Sequence, residues 1–132
     1  MGRDGRAPGS AGLYLAGGAL LLRPEEQVVE AMLDGWRAQQ LARNLAFSTI
    51  GKRLSAVGAF TAHADAPPWA WTAQMADEWL GDLRAVKGLR RSTIRNYALA
   101  VSSFCQYLTD PAYGWAEQCQ ARFRGLLATS PP

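Results

Sequence analysis

Along four stretches of this chain, apolar residues recur at the three- and four-residue spacing of a single helix face. The first stretch follows Pro24, with Val29, Met32, Leu33, Trp36 and Leu41 on one side and an end near Arg43. Pro24 suits a first helical position, and Glu25 and Glu26 favour the positive end of the helix dipole. The second starts at Ser48, turns Ile50, Leu54, Val57, Phe60 and Ala64 inward, and is broken by Asp65-Ala-Pro-Pro68. A third begins after Thr72, carries Asp77 and Glu78 early, points Met75, Trp79, Leu80 and Leu83 inward and stops at Gly88. The fourth is the most regular, with Ile94, Tyr97, Ala98, Val101, Phe104, Cys105 and Leu108 leading to Asp110-Pro111. No stretch alternates as a strand would. The pattern predicts an all-α fold, a compact bundle of four principal helices. A short C-terminal helix is added by Trp115, Cys119 and Phe123, and Thr129-Ser-Pro-Pro132 cannot continue it. The expected shared core is Trp36, Leu54, Phe60, Trp79, Val101 and Phe104, with Trp69 and Trp71 plugging the bundle behind the Pro-Pro turn.

The second and fourth stretches also share a sequence. Ser48-Thr49-Ile50 returns as Ser92-Thr93-Ile94, Ala56-Val57 as Ala100-Val101 and Phe60 as Phe104, each pair offset by 44 positions. Each copy opens with a hydroxyl residue suited to capping a helix N-terminus. Around the second copy stand Arg84, Lys87, Arg90, Arg91 and Arg95, with no acidic residue among them, whereas residues 25–34 hold Glu25, Glu26, Glu30 and Asp34 and no base. The net charge of +3 is therefore unevenly spread, and its distribution matters more than its sum. Helix starts that carry hydroxyl donors, open N–H groups and positive charge are built to meet phosphate. Double-stranded DNA is the first partner to consider.

Twelve residues are candidates for that contact: Ser48, Thr49, Lys52, Arg53, Lys87, Arg90, Arg91, Ser92, Thr93, Arg95, Asn96 and Gln106. The outward face of the fourth helix carries Arg95, Asn96, Leu99, Ser102 and Gln106. Asn and Gln can bond adenine bidentately and Arg can bond guanine, so these side chains either read bases or are simply solvated. The repeat places Gly51, Ser55, Gly58 and Ala62 opposite Arg95, Leu99, Ser102 and Gln106. Such small side chains allow close approach and read no sequence, which leaves Lys52 and Arg53 as the phosphate contacts of the second helix.

At 132 residues, 48% of them hydrophobic and five of them Trp, the chain can fill one core. Core packing accounts better for the tryptophans than base stacking on single strands does. Cys105 and Cys119 have no metal-ligand spacing; Cys105 lies on an apolar face, where a thiol acts as a small hydrophobe, and a disulfide is the alternative. A reducing cytoplasm fits. His63 stands without a cluster of Cys, His or carboxylates, so no metal site is expected. Neither a cofactor, nor a small-molecule substrate, nor a membrane is implied. Residues 1–22, Gly- and Ala-rich, predict a flexible tail; the apolar run 11–22 is too short and glycine-broken for a secretory leader.

Taken together, the four-helix order, the Ser92-Thr-Ile-Arg-Asn-Tyr97 start, the Phe104-x-x-Tyr107-Leu108 continuation and the Asp110-Pro-x-Tyr-Gly-Trp115 exit resemble a known family. They are similar to the SAM-like core-binding domain of tyrosine recombinases, the phage integrases and their relatives, in the actinobacterial style. The likeness spans roughly residues 25–123. It implies that the second and fourth helices lie across the major groove at a recombination core site, beside a catalytic domain, with other recombinase subunits as further partners. The corresponding division is a tail over 1–22, the core-binding domain over 23–112, and a segment over 113–132 leading toward an absent catalytic domain. That catalytic domain would supply a tyrosine nucleophile, arginines, a lysine and a His-x-x-Arg element. Here the one histidine is followed by Ala64-Asp65-Ala66, so none of the four tyrosines has that support, and DNA cleavage is not expected. Two other readings stay open. One is a helical protein-interaction module docking through Leu99, Trp115 and Phe123; the other is a free-standing regulator of a mobile element.

Overall fold

In the computed structural model, residues 7–15 and 24–123 are described, and among them every regular element is helical. The order is α1 (Ala11–Leu15), α2 (Pro24–Ala42), α3 (Phe47–Ala64), a 3-10 turn (Pro68–Ala70), α4 (Ala73–Ala85), α5 (Arg91–Thr109) and α6 (Trp115–Phe123). The four apolar stretches are α2 to α5. None of the described helices is long and apolar enough to cross a membrane. The tail residues 1–6, the end of the apolar run at 16–22 and the Thr129-Ser-Pro-Pro132 terminus lie outside the described residues.

The helix ends follow local chemistry, with one correction. Thr72 caps α4, its side chain accepting from the Met75 N–H at 3.2 Å. Ser48 and Ser92 do not cap. α3 starts behind Ala46 and α5 behind Arg90, neither of which makes a side-chain cap bond, so both serines fall inside the first turn. The connections set these starts. Asn44 is left-handed (φ 64°) and the Leu45 N–H returns to the Gln40 carbonyl at 3.1 Å, which turns the chain into α3 with its cap position at Ala46, two residues before Ser48. Before α5, Gly88 takes φ +64° and the Leu89 N–H bonds the Leu83 carbonyl at 3.0 Å.

The repeat turns out to be a packing motif. α3 packs against α5, and the repeated Ala56 and Ala100, Val57 and Val101, Phe60 and Phe104 are all buried. The two phenylalanines meet the tryptophans. Phe104 lies 4.9 Å from Trp36, ring centre to ring centre, and Phe60 sits between Trp71 at 4.6 Å and Trp79 at 5.1 Å. Trp71 also donates its indole N–H to the Ala66 carbonyl at 2.8 Å, which pins the Pro-Pro turn. Of the expected core, only Leu54 is half-buried. Leu41, expected inward, is exposed; the buried positions beside it belong to Gln39 and Gln40.

Part of the supposed tail is structural. Gly9 is buried at φ +95°, and its carbonyl accepts from the Tyr107 hydroxyl at 2.6 Å and from the Trp115 indole N–H at 3.0 Å. The Ala11 N–H adds a bond to the Tyr113 carbonyl at 2.7 Å, and Ala11 itself is buried. Backbone groups make this docking, so the apolar pattern of residues 7–15 does not announce it. The boundary expected at residue 112 does not divide the packing either. Tyr113, Trp115 and Cys119 belong to the same buried cluster as Phe104 and Leu108.

Gly35 sits under the same junction, and a Cβ there would collide with the Tyr107 hydroxyl. Gly35→Ala should therefore destabilise the protein by about 1–3 kcal/mol, as overpacking does. Gly81→Ala, where the added methyl meets open space within α4, should instead stabilise by roughly 0.5–1 kcal/mol. Denaturant titration of the two variants reads both signs.

Candidate nucleic-acid interface

The first turns of α3 and α5 open into one shared groove of about 900 Å³. Its walls carry Ser48, Thr49, Lys52 and Arg53 from α3 and Thr93, Asn96, Tyr97 and Leu99 from α5, with the buried Ala56 and Ala100 also lining it. The repeated Ser-Thr-Ile segment thus brings two helix N-termini to one concavity. At such ends the first N–H groups lack helical partners and the dipole is positive. Gly51 and Ser55, exposed on the α3 wall, leave room for a ligand to approach the backbone.

Six of the twelve candidates line this groove: Ser48, Thr49, Lys52, Arg53, Thr93 and Asn96. Lys87, Arg90, Arg91, Ser92 and Arg95 are exposed and flank it, on the connection into α5 and its first turns. Lys52, Lys87, Arg90, Arg91 and Arg95 make no ion pair among the described residues, so their charge is available to a partner. Gln106 stands apart. It lies ten residues beyond Asn96, about 15 Å further along the helix axis, and lines a separate apolar recess with Trp71, Trp79 and Cys105.

Arg53 differs from the other cations. It is half-buried, and its Nη1 donates to the Gln40 side-chain oxygen at 3.3 Å. No periodicity could have revealed that tie, because it depends on where α2 ends relative to α3. Two further groove-side features went unread in the sequence. Tyr97, assigned to the core, is half-buried, stacks on Trp79 at 5.8 Å and still lines the groove. Phe47, the first residue of α3, is 82% exposed beside Ser48.

The negative charge gathers elsewhere. Glu25, Glu26, Glu30 and Asp65 line a recess at the other end of α3, about 25 Å from Ser48 along that helix. None of the residues lining the groove is acidic. His63 does not gather ligands; its Nε2 lies 3.0 Å from an Asp82 carboxylate oxygen and joins α3 to α4. No group of metal-ligating side chains occurs among the described residues. Cys105 and Cys119 are not joined in a disulfide, and burial pushes the Cys105 thiol up to about 11, which keeps it protonated at neutral pH.

No protein family, curated protein or solved structure matches this chain. Function has to be read from the groove itself. The docking surface of the protein-interaction alternative loses a member, since Trp115 is fully buried and bonds the Tyr107 hydroxyl at 2.7 Å and the Gly9 carbonyl. Leu99 is 59% exposed, and the Phe123 side chain lies outside the described residues.

Proposed function

We propose that this chain binds duplex DNA through the α3–α5 groove, as the core-binding domain of a tyrosine recombinase. The carrying observation is the convergence of two repeated helix starts on one open groove, lined by Lys52 and flanked by Arg90, Arg91 and Arg95, four cations that make no ion pair among the described residues. On this reading α2 to α5 are the four helices of a SAM-like bundle, and the docked 7–15 segment and α6 brace it from one end. Phosphates would meet the hydroxyls and N–H groups of the first turns together with the flanking cations. Asn96 points into the groove with an amide able to bond adenine, whereas Gly51 and Ser55 on the facing wall only give room. DNA would thus be positioned by both helices and read mainly by α5. A catalytic domain and sister subunits of a recombinase are the partners that this role requires; no cofactor enters it.

Charge reversal tests the surface. Arg90→Glu combined with Arg91→Glu should abolish the binding of a labelled duplex at low salt, followed by fluorescence anisotropy. Unchanged binding would move the DNA off this face. The chain should also form no covalent adduct with a nicked suicide substrate at any pH or with any divalent metal, because no His-x-x-Arg supports a tyrosine nucleophile. A protein–DNA band on a denaturing gel would overturn that.

A further inference from the structure

We infer that Gln40 is a positioning residue for the groove, holding the Arg53 guanidinium where it meets a backbone phosphate of the duplex. The inference rests on the duplex-binding reading above and adds to it a residue of α2, a helix that contributes nothing to the groove wall. Gln40 is 2% exposed, and a buried amide is tolerated when its bonds are made. Its Oε1 accepts from Arg53 Nη1 at 3.3 Å and its Nε2 donates to the Trp36 carbonyl at 3.4 Å. Chemistry fixes that orientation, because a guanidinium only donates and a carbonyl only accepts. One of the five Arg53 N–H donors is thereby taken, and the others remain for a ligand. The turn that presents Gln40 is itself anchored. Next to it, Gln39 donates to the Tyr113 hydroxyl at 2.9 Å, and Arg43 donates to the same oxygen at 3.3 Å.

The neighbouring Lys52 shows what this arrangement changes. It is exposed and makes no ion pair among the described residues, so it must give up side-chain freedom when it meets a phosphate. Arg53 is already held. Its fork is preset at the groove wall, and a planar guanidinium suits phosphate oxygens bidentately once its direction is set. α2 therefore supports the groove from behind, although no α2 side chain reaches the DNA.

A double-mutant cycle on the full chain tests this, using anisotropy of a labelled duplex over a range of salt. Gln40→Leu should weaken binding by about three- to tenfold, within the usual range for residues in contact. It should leave the salt slope unchanged, because the Arg53 charge remains. Arg53→Ala should weaken binding and flatten the slope by about one. In the Arg53→Ala background, Gln40→Leu should have no further effect. Gln40→Glu keeps the bond to Arg53 and gives up the donation to the Trp36 carbonyl, and its carboxylate offsets the guanidinium charge, so it should weaken binding and flatten the salt slope as Arg53→Ala does. That variant decides the matter if Gln40→Leu does not fold. Equal weakening by Gln40→Leu in both backgrounds, tighter binding by Gln40→Leu, or wild-type affinity for Gln40→Glu overturns the positioning role while duplex binding stands. A wild-type chain that binds no duplex overturns both.

Discussion

Phe104→Ala should lower the free energy of unfolding by about 3–5 kcal/mol, the range for truncating a packed aromatic side chain. Phe104 is fully buried at the centre of the aromatic cluster, 4.9 Å from Trp36, 6.0 Å from Trp71 and 6.2 Å from Tyr107, ring centre to ring centre. Rings held from three sides by other rings cannot collapse readily into the void, so much of the cavity would persist. The neighbours come from α2, the Pro-Pro turn and α5 itself, and the loss would loosen several elements together. A domain of this size commonly has 5–15 kcal/mol of total stability, on the order of two or three such losses. Urea titration gives the value directly. A loss below about 1 kcal/mol would mean that the α5 face has been assigned wrongly.

That face was legible in the sequence because it is a matter of period. Ile94, Val101, Phe104 and Leu108 recur at helical spacing, and any other rotation of α5 would put them in water. The repeat was legible for the same reason, since Ala56-Val57 and Ala100-Val101 occupy equivalent places on two helices that face each other. What escaped the sequence rests on backbone or on long-range polar contact. The docking of residues 7–15 uses the Gly9 carbonyl, which has no signature in a list of side chains. Gln39 and Gln40 are polar residues that no apolar periodicity marks as inward; they are buried where Tyr113 and Arg53 arrive to bond them. Ser48 and Ser92 looked like caps on residue type alone, and the Asn44 and Gly88 turns decide otherwise. In the candidate site, the clustering of cations around the second repeat was visible from the start. The different placing of Gln106, on another stretch of α5, was not.

The second large effect concerns binding. If Lys52, Arg90, Arg91, Arg95 and Arg53 neutralise phosphates, binding releases counterions, and log K falls linearly with log salt. Four or five contacts give a slope of about −4, so a fourfold rise in salt should weaken binding by about two orders of magnitude. Affinity should be micromolar or poorer near physiological salt, because one small module without its partner domain has limited contact area. Asn96→Ala should act mostly on preferred sequences, and Gln106→Ala, outside the groove, should be silent. By contrast, Arg91→Ala should weaken all sequences alike.

The measurement that bears most directly on the groove is therefore the salt dependence of duplex binding for the wild-type chain and Arg91→Ala, run side by side by anisotropy. The expected result is a slope near −4 for the wild type and a slope flatter by about one unit for the variant. Absence of duplex binding at low salt, or identical slopes for the two proteins, would contradict the assignment of this face to DNA.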